Sequence, residues 1–212
     1  MVTLIDASVI ILAGGRSRRL GSIKALVNLG DKPLIAHVAQ KIDGFFREVV
    51  VVIGMNGDVE RFSEVLPSSF KICRDICPDL GPLGGVVSGL RHVNSRYMAV
   101  LPCDSPFIDL KVLDFLYRSC LCYEAAIPLW PNGHIEPLHS FYDSRAVRSA
   151  GESALKAGER DLRSMIRRLN AVNYVSVDQL REFDRELLTF FNINSREDLN
   201  KAETILKRFV SQ

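Results

Sequence analysis

Short β-branched runs alternate with helical stretches along the first half of the chain. Val9-Ile10-Ile11-Leu12 is apolar at every position, the pattern of a strand buried on both faces, and it stops at Gly14-Gly15. Pro33 suits the first position of a helix. Leu34, Ile35, Val38, Ala39 and Ile42 follow on one face, and Gly44 ends it. Val49 to Ile53 predicts a second buried strand closed by Gly54; residues 57–66 predict a helix stopping before Pro67, and Phe70 to Cys73 a short strand. After a loop from Asp75 to Pro82, the pattern predicts a helix from Leu83 to Val93 and a strand from Tyr97 to Leu101 that ends at Pro102. Asp109 caps a further helix, with Val112, Leu113, Leu116 and Tyr117 on one face.

The second half is less regular. Ala125 to Leu129 and Ile135 to Phe141 predict strands around the turn Pro131-Asn132-Gly133, and residues 143–157 and 161–169 two helices broken at Gly158. Ala171 to Val177 reads as a strand, and residues 186–193 as a last short one. A final helix starts at Ser195, with Asp198 three residues on, close to a capping box. Apolar strands alternating with helices predict an α/β fold, Rossmann-like and three-layered, with a mainly parallel sheet covered on both faces. Ligands of such sheets bind beyond the carboxyl ends of the strands, so the loops after the first four strands are where chemistry is expected.

At 212 residues the chain fits one domain. Hydrophobic residues at 47% and charged residues at 25% exclude a disordered, collagenous or coiled-coil chain. The net charge of +2 implies no nucleic-acid or anionic-membrane partner, so any anion preference must come from a local cluster. Apolar runs fall far short of the ~20 residues of a membrane span. The start lacks a basic segment and carries Asp6 ahead of its short apolar run, so a cytoplasmic protein without a cleaved signal is expected. Five cysteines, odd in number and irregularly spaced, match no zinc pattern and read as reduced thiols.

The local cluster lies directly after the first strand. Leu12 to Lys24, LAGGRSRRLGSIK, joins three glycines to Arg16, Arg18, Arg19 and Lys24 with no acid among them. A flexible backbone rich in free N–H groups with converging cations suits a polyphosphate. The segment matches neither a Walker A loop nor GxGxxG. Two further pieces follow. Asp75 precedes Gly81-Pro82-Leu83-Gly84-Gly85, a segment that can turn tightly and open a helix. Leu101-Pro102-Cys103-Asp104-Ser105-Pro106-Phe107 sets a carboxylate just past a buried strand, where it either reaches a ligand or caps the next helix. Asp79 and Asp109 are weaker carboxylate candidates.

Leu12, Ala13, Gly14, Gly15, Ser17, Arg19, Gly21 and Lys24 together make LAGG-x-S-x-R-x-G-x-x-K. This resembles the signature of nucleotidyltransferases that join an NTP to a phosphorylated acceptor. With GPLGG, CDSPF, Glu136-Pro137-Leu138, Gly158-Glu159-Arg160-Asp161 and Asn192-x-Asn194 in order, the chain is similar to the molybdenum cofactor guanylyltransferases. The resemblance implies a nucleotidyltransferase fold, with a nucleotide-binding half at about 1–120 and an acceptor-binding half at about 121–212. It implies Mg²⁺-dependent transfer of GMP from GTP to the phosphate of molybdopterin or molybdenum cofactor, releasing pyrophosphate.

By the same resemblance, Leu12, Ala13, Gly14, Gly15, Asn56, Asp75, Gly81, Pro82, Leu83 and Gly84 bind the nucleotide. Arg19 and Lys24 hold the triphosphate and act in the transfer, and Asp104 holds Mg²⁺. Glu136 and Arg160 flank the acceptor, and Asn192 and Asn194 stand opposite Asp104 near the acceptor or the metal, although relatives often carry His-Pro where this chain has Glu136-Pro137. Arg160, Arg163, Arg167 and Arg168 either reach the acceptor's phosphate or form a solvated helix face. Trp130 either stacks on a pterin or packs under a loop. His134 and His139 fall in the acceptor region with no evident partner in the sequence. Molybdoenzyme apoproteins or other cofactor-biosynthesis proteins are implied partners. Two other readings remain open: a cytidylyltransferase on the same pterin or a guanylyltransferase on another phosphorylated acceptor, and a non-catalytic adaptor that delivers the cofactor.

Overall fold

The computed structural model describes residues 4–17, 22–76 and 80–210. Their main sheet has seven strands: β1 (Ile5–Leu12), β2 (Phe46–Ile53), β3 (Lys71–Arg74), β4 (Tyr97–Pro102), β5 (Ala125–Leu129), β6 (Ser140–Asp143) and β7 (Val172–Ser176). They lie in the order β7-β5-β6-β4-β1-β2-β3. β6 runs antiparallel to both its neighbours and every other pairing is parallel. Helices α1 (Leu34–Ile42), α2 (Val59–Ser63), α3 (Gly81–Leu90), α4 (Leu110–Cys120), α5 (Ser144–Lys156), α6 (Leu162–Ile166), α7 (Val177–Leu180) and α8 (Arg196–Val210) complete the fold. None of the described helices is long and apolar enough to cross a membrane.

The doubly apolar strands explain the three layers. Val9 and Ile11 of β1, with Val49 and Val51 of β2 and Ala99 and Leu101 of β4, pack against α1 and α4. The intervening Ile10, Val50, Val52, Met98 and Val100 pack on the other face against α3, α5 and α6. Gly89 lets α3 lie close on β1, because a Cβ there would meet Ile10 Cγ2 at 2.9 Å. A third cluster, Leu29, Leu34, Phe107, Ile193, Leu199 and Ala202, seats α8 beside the end of β4.

Local signals place most element ends. Asp58, Asp109, Asp143 and Asp161 cap α2, α4, α5 and α6 through their carboxylates. Ser195 and Asp198 form a reciprocal capping box: Asp198 N donates to Ser195 Oγ, and Ser195 N to Asp198 Oδ2. Pro33 stands one place before α1 as its cap rather than inside it. The helices expected over 57–66, 83–93 and 161–169 run Val59–Ser63, Gly81–Leu90 and Leu162–Ile166, and tighter turns continue each of them.

Two expected strands are corrected. Ile135 to Phe141 is mostly a loop and β6 begins at Ser140. Pro137 has no N–H to give a ladder, and His139 N closes a turn onto Glu136 O at 3.1 Å. Residues 186–193 form no strand: Leu187 takes a left-handed backbone (φ 54°), and a single 3₁₀ turn, Leu188–Phe190, follows. The Asp184 carboxylate accepts from Thr189 N at 2.7 Å and holds that turn. The run is apolar because Leu187 and Phe190 cover the core, not because it pairs.

At the opposite edge from the strand ends, Glu48 accepts from Ser8 Oγ (2.6 Å), Asn94 N (2.6 Å) and Lys71 Nζ (3.0 Å). Burial alone would raise its pKa, but these bonds prevail and bring it to about 2. The folded value lies below the unfolded one, so this contribution to stability is complete above pH 4.5 and is lost as pH falls toward 2. Glu48→Gln is expected to cost about 1–3 kcal/mol at pH 7 in denaturant unfolding and to flatten the acid limb of the stability curve. An unchanged acid limb would contradict this role.

Candidate functional site

β1 lies between β2 and β4, and the chain crosses from one side of it to the other, which makes the ends of these strands the switch point of the sheet. Pairing holds to the last residue: Leu12 is in register with Val52 and with Pro102. Ala13 N then donates to Val52 O (2.8 Å) and Cys103 N to Leu12 O (3.3 Å). The loop after β1 and Asp104 after β4 therefore emerge side by side. Gly14 backs onto Gly54 at the end of β2, and Gly15 faces open space. Arg16–Ser17 pairs with Ser22–Ile23 as a small hairpin that returns the chain to Lys24. Arg18, Arg19 and Gly21 lie outside the described residues, as do Cys77 and Asp79.

Lys24 is the centre of the cluster. Its ammonium forms an ion pair with Asp104 Oδ2 and donates to Asn194 Oδ1 at 2.7 Å. The Asp104 side chain is 9% exposed and that of Lys24 17%. Buried charges of this kind persist only when paired, so each holds the other in place. Ile193 N donates to Asp104 O at 3.0 Å, and the Ile193 side chain is buried against Phe107. Ser105 Oγ donates to Asn192 Oδ1 at 2.5 Å and lies 2.9 Å from His139 Nε2. Burial pushes the Cys103 thiol up to about 12, and the neighbouring Asp104 charge adds to this, so Cys103 is an inert core thiol and no nucleophile.

A second group gathers at the start of α3. The Ser88 hydroxyl lies 2.7 Å from Asp75 Oδ1 and 2.9 Å from Gly84 O, which ties the end of β3 to the first turn of α3. Gly81 takes φ +63°, and a Cβ there would stand 2.8 Å from the carbonyl oxygen of Arg160, which also accepts from Leu83 N at 3.4 Å. Arg160 thus joins the GPLGG turn through its backbone, with an exposed side chain. Pro82 is exposed beside it. Arg167 and Arg168 pair with Glu159, and Arg163 NH2 lies 3.3 Å from His134 Nδ1.

Asn56 is not drawn into either group; it sits exposed in the turn after β2. Glu136 accepts from Trp130 Nε1 at 2.8 Å, and burial raises its pKa. Trp130 is also edge-on to Phe190, so it packs as part of the loop wall. Sequence reasoning missed the partners of Ser105 and His139. The only signal was their position: Ser105 next to the nominated carboxylate and His139 just past Glu136-Pro137-Leu138.

A family model described as the MobA-like NTP transferase domain matches residues 9–172. The chain belongs to this family. Members are nucleotidyltransferases, and this protein is an enzyme of that class. It is 34% identical to a probable molybdenum cofactor guanylyltransferase of Methanosarcina mazei, over 91% of this chain and 88% of that one. It is 35% identical to a molybdenum cofactor guanylyltransferase of Syntrophotalea carbinolica, over 92% and 89%. Among solved structures, molybdopterin-guanine dinucleotide biosynthesis protein A of Archaeoglobus fulgidus superposes with a TM-score of 0.82 at 33% identity, covering 95% of this chain and 99% of that one. The 2-C-methyl-D-erythritol 4-phosphate cytidylyltransferase of Thermus thermophilus shares the fold (TM-score 0.69, 17% identity, covering 95% and 99%).

Within this MobA-like frame the turn at Gly81 can be tested directly. Gly81→Ala adds a Cβ to a left-handed residue against a carbonyl and is expected to cost about 1–3 kcal/mol. Thermal unfolding should register this as a Tm lower by several degrees. An unchanged Tm would mean that the Arg160 turn does not pack on α3 as described.

Proposed function

We propose that this protein is a cytoplasmic molybdenum cofactor guanylyltransferase: it transfers GMP from GTP to the terminal phosphate of molybdopterin or its molybdenum-loaded form and releases pyrophosphate. One observation carries the reading. Lys24, Asp104 and Asn194 meet in one cluster at the ends of β1 and β4, directly beside the glycine loop. A cation and a carboxylate so placed suit attack at an α-phosphorus, where negative charge spreads over the phosphate oxygens. The names of the relatives support the acceptor.

The nucleotide lies along Leu12 to Gly15, with its base toward Asp75 and the Gly81–Gly84 turn, so that residues 1–120 serve the nucleotide and 121–212 the acceptor. Arg19 and Lys24 hold the triphosphate. Glu136, Arg160, Asn192 and Asn194 border the acceptor. An acceptor phosphate oxygen attacks the α-phosphorus in line; the new P–O bond forms as the α–β bridge bond breaks and pyrophosphate departs. A phosphate monoester is already largely ionised at pH 7, so no general base is needed and positioning carries the step.

The residues present fit Mg²⁺. Asp104 Oδ2 and Asn194 Oδ1 already share one cation, the Lys24 ammonium. Magnesium takes one or two such oxygens beside phosphate oxygens and water. Asp104 would hold it, and when bound it supplies positive charge against the triphosphate.

Pyrophosphate release from GTP with molybdopterin as acceptor tests the assignment. Lys24→Ala should lower kcat about a hundredfold or more while weakening GTP binding much less. Asp104→Ala should remove both activity and its dependence on Mg²⁺. Near-normal turnover in either variant would remove that residue from the mechanism.

A further inference from the structure

The hydrogen-bonded chain His139–Ser105–Asn192, buried at His139 and Ser105, adjoins the Lys24 cluster through Ser105, next to Asp104, and its donors and acceptors can be assigned from chemistry. Asn192 Oδ1 only accepts, and the Ser105 hydroxyl has a single proton, so Ser105 donates to Asn192 at 2.5 Å. Ser105 Oγ must then accept from His139, which places the imidazole proton on Nε2 at 2.9 Å. His139 Nδ1 is left bare, buried and without a hydrogen-bond partner, with Glu136 Oε2 at 3.9 Å. Burial lowers the imidazole pKa to about 3, consistent with a ring that carries one proton only.

The position of this ring gives the chain its purpose. His139 is 1% exposed and edge-on to Phe190 at 5.3 Å. It stands at the end of the loop that carries Trp130 and Glu136, and it abuts the segment that leads to Asn192. From Asn192 the backbone runs through Ile193, bonded to Asp104 O, to Asn194, bonded to Lys24. The segment is thus laced to the Asp104 region at three successive residues, and His139 bears on the first of them through the Ser105 hydroxyl.

We propose that His139 is a positioning residue for nucleotidyl transfer: through Ser105 it fixes Asn192, and so holds the Asn192–Asn194 segment in register over Asp104 and Lys24. The proposal rests on the functional reading above. It also links the loop assigned to the acceptor with the Asp104 region, because His139 lies 3.9 Å from Glu136 Oε2 on one side and 2.9 Å from the hydroxyl of Ser105, the neighbour of Asp104, on the other.

The histidine uses only its Nε2 proton, so a glutamine, whose amide can donate from a similar reach, should replace it where an apolar residue cannot. His139→Leu and Ser105→Ala break the same link from opposite ends. Both are expected to lower kcat about ten- to a hundredfold, the scale of a small misplacement of reacting groups, with KM for GTP within about twofold, since a tenfold KM change would need ~1.4 kcal/mol of lost binding. His139→Gln should recover most of the loss. A role in folding alone would lower Tm in Leu and Gln variants alike and leave kcat of the folded fraction unchanged, and that result overturns the proposal.

¹⁵N NMR of the wild-type protein reads the contact independently of activity. The expected pattern is a protonated, pyrrole-like Nε2 and a bare, pyridine-like Nδ1; the reverse pattern, or a doubly protonated ring, overturns the proposal. If the wild-type protein neither binds Mg·GTP nor releases pyrophosphate, the functional reading fails. The positioning claim then falls with it, while the NMR pattern still reports whether the His139–Ser105 link exists.

Discussion

The site depends on one geometric constraint: β1 is paired on both sides to its last residue. Val52 on one flank and Pro102 on the other are in register with Leu12, and the backbone bonds from Ala13 and Cys103 extend the ladders into the loops. A strand clamped in this way cannot shift its end without breaking two ladders, so the glycine loop and Asp104 leave the sheet at a fixed separation. The burial that enforces the clamp comes from the fully apolar Val9–Leu12 and Val49–Ile53 runs, whose alternate residues feed opposite layers.

On that platform the charges arrange themselves by mutual need. Asp104 is nearly buried, and a carboxylate there without a partner would be costly. Lys24 answers it, and Asn194 Oδ1 accepts a further hydrogen bond from the same ammonium. The amide arrives from the far end of the chain because Ile193 is buried beside Phe107 and α8 closes over them. The C-terminal helix therefore does more than cover the core: its capping box at Ser195 and Asp198 begins where the site ends, and Asn194 N itself donates to Asp198 at 3.0 Å. Stability of α8 and geometry at Lys24 are linked through one short segment.

Much of this was legible in the sequence, for a physical reason. Strands buried on both faces leave an uninterrupted apolar signature, so β1, β2 and β4 lay where Val9–Leu12, Val49–Ile53 and Tyr97–Leu101 predicted them. Carboxylate caps such as Asp109 marked helix starts equally well. The failures came where apolar residues cover rather than pair. Leu187 and Phe190 are buried at the two ends of a short turn held by Asp184, and Ile135 makes only a single bridge to Leu129 before Pro137 ends the pairing; neither is separable from a strand by periodicity alone. At the site, the motif nominated Lys24 and Asp104, whereas the Ser105–His139 and Ser105–Asn192 contacts span 34 and 87 positions and leave no local trace.

A guanylyltransferase of the kind proposed binds GTP with Mg²⁺ across the ends of β1 and β4. Isothermal titration of the purified protein with GTP, CTP, ATP and UTP, each with and without Mg²⁺, tests it most directly. Selective GTP binding that Mg²⁺ strengthens is the expected result. Selectivity for CTP would overturn the guanylyl assignment while leaving nucleotidyl transfer in place, and binding of none of the four would mean that the Lys24–Asp104 cluster is not a nucleotide site.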